Sequence, residues 1–219
     1  MELLHQLLQA LWHQDFQVLS NPSLLWAVYG VLFLTLFLEN GLLPASFLPG
    51  DSLLLLSGAL IAKGALSLSL TLLVLISAAA LGCWLSYLQG RWLGNTQTVK
   101  RWMSQLPEHY HERARRLFIR HGLFALLFSR FLAFVRTLLP TVAGLSGLNA
   151  FRFQIFNWLS AVVWVGCLVG LGYAISITPI FKRYENLMMQ MLMILPIVLL
   201  IIGLVGALIV IVRKRYAKS

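Results

Sequence analysis

Apolar residues run along this chain in long stretches that are separated by short segments rich in glycine, proline and charge. Three of the stretches contain no charged residue at all. A helix needs about 20 mostly apolar residues to cross the hydrocarbon core of a bilayer. The pattern therefore predicts three full-length transmembrane helices, at Ala65–Leu88, Phe153–Thr178 and Asn186–Val212.

Two further apolar stretches are interrupted. Leu24–Leu38 has 15 residues, and a glycine- and proline-rich break separates it from a second apolar arm, so a hairpin is expected at about 24–62. Residues 122–149 repeat this design. Short arms around a break are typical of a re-entrant hairpin, whose irregular backbone must be shielded from lipid. The residues expected to break the two hairpins are Pro44, Pro49, Gly50, Pro140 and Gly144.

The opening segment and the segment that begins at Pro107 each place apolar residues on one helical face, as interfacial amphipathic helices do. The order of amphipathic helix, broken hairpin and span thus occurs twice, over 1–92 and 97–180, before a final span at 186–212. Transporters often contain such repeats in inverted topology, with discontinuous helices meeting near the bilayer midplane. The predicted fold class is an all-α integral membrane protein, built as a single domain over 1–219.

Composition agrees with this class. The chain has 219 residues, of which 59% are hydrophobic and 11% charged, whereas soluble domains carry about 25% charged residues. Between positions 91 and 120, seven basic residues face two acidic ones, and the last seven residues add four more basic side chains. Basic clusters beside apolar spans normally lie in the cytoplasm. We therefore expect a multi-pass protein with a cytoplasmic C-terminus, and we exclude nucleic acid as a partner.

Four charged residues stand inside the interrupted stretches: Glu39, Asp51, Arg130 and Arg136. A charge at membrane depth is costly, so it usually faces protein or water and marks a pathway for ions or substrate. Burial favours the protonated form of a carboxylate, so Glu39 and Asp51 are predicted proton-coupling residues. The forked donors of arginine suit phosphate or carboxylate, so Arg130 and Arg136 are predicted substrate-binding residues.

Structural roles are also open for these residues. Asp51 follows Pro49-Gly50 and suits the N-cap of the second arm. Either arginine can form a structural ion pair with Glu39 or Asp51 across the hairpin tips. No arrangement of nucleophile and base occurs, and Cys83 and Cys167 fit packing better than metal binding. We therefore expect no enzyme, no metal and no cofactor, with protons as the coupling ion.

Two motifs resemble the paired signatures of the DedA family of bacterial inner-membrane proteins. The first comprises ENGLLP at 39–44 and PGDSL at 49–53, and the second is SRFLAFVRTLLPTVAG at 129–144. The chain departs from many relatives in having Asp51 where they have glutamate, and Ala133-Phe134 where they have Pro-Gly. The first change shortens the reach of the acid, and the second removes a break between the two arginines.

The resemblance implies two facing re-entrant hairpins and a lipid-translocating role. For bacterial members the implied substrate is undecaprenyl phosphate, which is returned from the outer to the inner leaflet, and proton-motive force is implicated. Related eukaryotic proteins include lipid scramblases. Carried over by motif, the important positions are Glu39, Asp51, Arg130 and Arg136.

The predicted function is therefore a membrane lipid transporter linked to the proton-motive force, with undecaprenyl phosphate as substrate. The sequence leaves open whether the protein forms a homo-oligomer. One alternative is a proton-coupled exporter or small-cation transporter, in which Glu39 and Asp51 bind the solute and the arginines are structural. The other alternative is an envelope scaffold that transports nothing.

Overall fold

The computed structural model describes residues 22–42, 45, 48–93 and 126–184, together with helical positions 187, 191, 194, 195, 198 and 201. These residues form helices and contain no strand, which confirms the predicted all-α class. The helices are α1 (Pro22–Gly41), α2 (Gly50–Ala62), α3 (Leu68–Leu93), α4 (Ala133–Leu145), α5 (Ala150–Ser176) and α6 (Pro179–Arg183). The two predicted amphipathic helices, Pro44 and most of the final predicted span lie outside the described residues.

Three of these helices, α1, α3 and α5, are long and apolar enough to cross a membrane. Helices α3 and α5 have 26 and 27 residues, and each begins and ends within about five positions of its predicted span. Asn149 explains the start of α5, because its Oδ1 accepts hydrogen bonds from the backbone N–H groups of Phe151 and Arg152 at 2.9 and 3.3 Å. An asparagine in this position satisfies donors that the first helical turn leaves without partners.

Helix α1 differs from the short arm expected at 24–38. It has 20 residues and continues through Glu39 and Asn40 to Gly41. The Asn40 side chain donates a hydrogen bond back to the carbonyl of Leu36 at 2.9 Å, and the charge of Glu39 is matched by an arginine described below. The hydropathy pattern ended the helix at its first charge, whereas the folded protein neutralises that charge. Whether the hairpins re-enter the membrane stays a prediction.

Helix α2 begins where the first hairpin was expected to break. Pro49 is its N-cap residue and makes no side-chain capping bond, and Gly50 is its first residue. Asp51 therefore lies in the first turn, where an acid interacts favourably with the helix dipole. The N-cap role considered for Asp51 is wrong.

The second hairpin breaks at a different place from the one predicted. Pro140 and Gly144 both lie inside α4, while the chain turns at 130–132, where Leu132 N donates to the Ser129 carbonyl. Pro140 lacks the N–H group that would bond the carbonyl of Arg136, and membrane helices tolerate such a proline where neighbouring groups compensate. Beside it, Thr141 Oγ1 donates to the Thr137 carbonyl at 3.0 Å. The prediction that Pro140 and Gly144 break the hairpin is therefore wrong.

The chain divides into two compact units. Helix α2 belongs to the first unit and α4 to the second, while α1, α3 and α5 pass from one unit to the other after Thr35, Val74 and Gly166. The boundaries of the two predicted sequence repeats are a separate matter and stay a prediction.

In the first unit, glycines bring α2 against the end of α5. A Cβ atom added at Gly58 would lie 2.7 Å from the backbone nitrogen of Tyr173, and one added at Gly172 would lie 2.9 Å from Leu55 Cα. Real side chains do not approach a backbone this closely. Small residues at such interfaces let the backbones of membrane helices approach each other.

In the second unit, α4 packs in the same way against the end of α3. A Cβ atom at Gly144 would lie 2.7 Å from the backbone nitrogen of Arg91, and one at Gly90 would lie 2.9 Å from Thr141 Cα. Gly144 is thus needed for close packing and not for a turn. The turn after α4 is made by Gly147, whose φ of 67° lies in the left-handed region.

The two glycine contacts share one register. On the shorter helices, the contacted residues Leu55 and Thr141 each precede the glycine, Gly58 or Gly144, by three positions. On the longer helix, Gly172 and Gly90 each lie 22 positions after the first residue, Ala150 in α5 and Leu68 in α3. Both units therefore join a short helix to a long one at corresponding positions.

Candidate functional site: a buried cluster of arginines in the second unit

Glu39 and Arg136 form an ion pair. Glu39 lies in the last turn of α1 and Arg136 in the first turn of α4, and their side chains are 0% and 2% exposed. Arg136 Nη2 donates to Glu39 Oε1. Of the pairings considered from the sequence, the structure thus forms the one between Arg136 and Glu39.

The end of α1 that carries Glu39 is fixed against α3. Ser86 Oγ donates to the carbonyl oxygens of Asn40 and Gly41 at 2.9 and 3.0 Å, and Gln89 Nε2 donates to that of Gly41 at 3.2 Å. The last carbonyl groups of a helix have no partner within the helix, so these side chains satisfy them and hold the last turn in place.

Arg130 is buried with neutral partners. It lies in the turn before α4 and is 2% exposed. Its Nε donates to Ser160 Oγ at 2.8 Å, and its Nη2 donates to Asn157 Oδ1 at 2.7 Å. Its Nη1 has no hydrogen-bond partner, and no ion pair to Arg130 occurs among the residues that the structure describes.

Helix α5 supplies a face that holds Arg130. Asn157, Ser160 and Trp164 follow one another at intervals of three and four, which places them on one side of a helix. Asn157 is itself held from the other side, because its Nδ2 donates to the Ala80 carbonyl of α3 at 2.8 Å. The guanidinium is therefore positioned by an amide whose donor and acceptor are both in use.

The ring of Trp164 is close to both arginines. The Cζ atoms of Arg130 and Arg136 are 5.7 and 5.3 Å from the centroid of its ring, within range for a cation–π interaction. Trp164 is fully buried. Sequence reasoning missed Asn157, Ser160 and Trp164, although their helical spacing inside an apolar span was a signal that could have found them.

Among the residues that the structure describes, the cluster carries more positive than negative charge. Its described members include two guanidinium groups, Arg130 and Arg136, and one carboxylate, Glu39. A buried charge is stabilised by an opposite charge or by hydrogen bonds, and Arg130 has only the latter among the described residues. Arginine offers planar, charge-assisted donors to phosphate and carboxylate oxygens. The cluster is chemically suited to bind one oxyanion.

Asp51 belongs to the first unit, with Pro49 and Gly50. Of the four charged residues singled out from the sequence, the structure thus groups Glu39, Arg130 and Arg136 in the second unit and places Asp51 in the other. Asp51 is half-buried and makes interactions of its own.

Comparison with known proteins identifies the family. The VTT domain family matches residues 48–174. The inner membrane protein YqjA of Escherichia coli (strain K12) is 63% identical over 216 residues, which cover 99% of this chain and 98% of that protein. The inner membrane protein YghB of Salmonella typhimurium (strain LT2) is 58% identical over the whole of both chains.

A more distant relative is the protein DedA of Escherichia coli (strain K12), which is 28% identical over 223 residues, covering all of this chain and 98% of that protein. No solved structure matches the chain. The resemblance of the two motifs to the DedA family is confirmed. The chain belongs to the VTT domain, or DedA, family of membrane proteins.

Proposed function

We propose that this protein is a lipid transporter of the bacterial inner membrane, linked to the proton-motive force, that moves undecaprenyl phosphate from the outer to the inner leaflet. The names of the relatives YqjA and YghB support the location. The substrate and the coupling are what the resemblance to the DedA family implies.

The observation that carries the proposal is the environment of Arg130. This guanidinium is buried, is held by neutral groups, and keeps one nitrogen without a hydrogen-bond partner among the described residues. A phosphate headgroup supplies both the negative charge and the acceptor oxygens that such a site lacks. The polyprenyl tail can stay in the lipid while the headgroup crosses through the protein.

The ion pair beside Arg130 supplies a means of coupling. When Glu39 takes up a proton, it loses the charge that holds Arg136, and Arg136 becomes available to the phosphate. When Glu39 releases the proton, it binds Arg136 again and competes with the phosphate. Proton uptake from the outer side and release to the cytoplasm would then move lipid and protons inward together. Asp51 is proposed as a second proton-coupling residue because it matches the acidic position of the PGDSL motif that resembles the DedA family.

The excess charge of the cluster argues against a small cation as the substrate. A cation would have to approach two arginines of which one is already matched by Glu39. The exporter and the scaffold are therefore alternatives that only a negative result in the lipid-transport experiment would favour.

The test is translocation of labelled undecaprenyl phosphate in proteoliposomes, with and without an imposed pH gradient. Asn157→Asp places a carboxylate where the amide oxygen now lies 2.7 Å from Arg130 Nη2, which cancels the charge of Arg130. It also removes the Nδ2 donor to the Ala80 carbonyl, so transport is compared only for protein that is folded and inserted. We expect transport to fall by about tenfold or more, since a hydrogen bond to a charged group is lost to the substrate. Asn149→Asp is the matched control, because it makes the same change at the exposed cap of the same helix.

Glu39→Gln should move lipid without responding to the gradient, or not at all. Lipid movement in the wild-type protein that ignores the gradient would make the protein a scramblase and contradict the coupling. No lipid movement by folded wild-type protein would contradict the proposed substrate and favour the exporter or the scaffold.

A further inference from the structure

The indole N–H group of Trp164 has no role in the fold as described. Trp164 is fully buried in α5, and its Nε1 has no hydrogen-bond partner among the described residues. Buried tryptophans usually give this N–H group an acceptor. This buried N–H group lies beside charged side chains and has no acceptor among the described residues, which suggests that a ligand supplies the acceptor.

A second unused donor lies in the same cluster. Arg130 Nη1 is buried without a hydrogen-bond partner among the described residues, and the Cζ atom of this arginine is 5.7 Å from the centroid of the Trp164 ring. The other nitrogens of Arg130 are fixed by Asn157 and Ser160. Arg130 is thus held by Asn157, Ser160 and Trp164 of α5, and its Cζ atom, which carries the remaining nitrogen, is 5.7 Å from the centroid of the indole ring.

We infer that Trp164 binds the phosphate headgroup directly, through its indole N–H, together with Nη1 of Arg130. This inference rests on the proposed function and names a binding residue that the charged motifs do not contain. A phosphate has several acceptor oxygens, so a single group can accept from both donors. The indole adds a directional bond without adding charge, which orients the headgroup and leaves the electrostatic attraction to the arginines.

The inference can be tested on the full-length protein in detergent micelles by the indole ¹H–¹⁵N signals of its seven tryptophans. The probe is farnesyl phosphate, a short polyprenyl monophosphate, and farnesol and inorganic phosphate are the comparison ligands. Loss of one signal in Trp164→Phe assigns the resonance. We expect farnesyl phosphate to shift this signal, and farnesol to leave it unchanged.

Affinity for farnesyl phosphate gives the second readout. Trp164→Phe keeps an aromatic ring beside the arginines and removes only the donor, so we expect binding about tenfold weaker or more. Trp158→Phe is the matched control, because it makes the same substitution at a more exposed position of α5, and it should bind as the wild type does. If Trp164→Phe does not fold, replacing the other six tryptophans in turn assigns the signal by elimination.

The outcomes separate this inference from the proposed function. Wild-type binding of farnesyl phosphate with an unmoved Trp164 signal overturns the inference and leaves the lipid proposal standing. A shift with inorganic phosphate but no binding of farnesyl phosphate supports the role of Trp164 and contradicts the lipid substrate. No binding of either phosphate contradicts both.

Discussion

Removing one member of the buried pair between Glu39 and Arg136 should destabilise the protein more than removing both. Each side chain is almost fully buried, so Glu39→Gln leaves a charged guanidinium, and Arg136→Gln leaves a carboxylate, in an environment with little water. Loss of one partner from a buried ion pair costs about 3–5 kcal/mol, because the remaining charge stays buried without compensation. The double variant leaves no such charge from the pair.

The assay is equilibrium unfolding in mixed micelles with increasing dodecyl sulfate, followed by circular dichroism. We expect each single variant to lose about 3–5 kcal/mol of unfolding free energy, and the double variant to lose no more than one single variant does. The exposed Arg152 provides the matched control, because Arg152→Gln removes a positive charge from a surface position and should change stability by about 0.5 kcal/mol or less.

The result that would refute this reasoning is additivity. If the double variant loses about 6–10 kcal/mol, the sum of the two single losses, Glu39 and Arg136 are not coupled and the observed pair does not stabilise the fold. The same double variant separates stability from function: it should fold and yet fail to respond to a pH gradient in the transport assay.

Three further predictions follow from the packing and the charge distribution. Gly144→Leu should prevent α4 from packing on α3 and cost several kcal/mol, whereas Gly170→Leu, where a side chain meets open space, should change the unfolding free energy by about 1 kcal/mol or less. Tyr29→Phe should lower the unfolding free energy by about 1 kcal/mol, because the hydroxyl of Tyr29 and that of Thr71 share a buried hydrogen bond, and Tyr173→Phe on the exposed side of α5 is the control. A fluorescent protein fused to the C-terminus should fluoresce and an alkaline phosphatase fusion should be inactive, because the basic clusters predict a cytoplasmic C-terminus; the opposite pattern would reverse the topology.

The sequence was most informative where its chemistry was conspicuous. Glu39, Arg130 and Arg136 stand out because charge is rare in apolar stretches, and the pairing of an arginine with Glu39 was among the options considered. Two full-length spans were predicted to within about five residues, since hydropathy and length constrain them strongly. The end of α1 was predicted less well, because a charged residue stops a hydropathy count even where a partner distant in sequence neutralises it.

The rest of the site could not be predicted for a different reason. Asn157, Ser160 and Trp164 are ordinary residues in a membrane span, and their importance depends on which helix face meets Arg130. Pro140 and Gly144 were expected to break the chain because local rules assign them to turns. In the folded protein a nearby threonine hydroxyl bonds the backbone around Pro140, and Gly144 serves contact with another helix. The bond beside Pro140 is local to the helix, whereas the contact of Gly144 is a tertiary one that no local pattern contains.

The glycine contacts also bear on how the protein is made. Helix α4 meets residues 87–91, which leave the ribosome before it does, so its partner is already in place. Helix α2 meets residues 169–173, which are synthesised more than 100 positions after Gly58. During translation the glycine-containing face of α2 therefore stays exposed until α5 has been synthesised. A nascent chain in this state is prone to misfolding and aggregation. A fragment that ends before residue 169 should remain bound to the insertion machinery or be degraded, and supplying the missing C-terminal segment as a separate chain should rescue it.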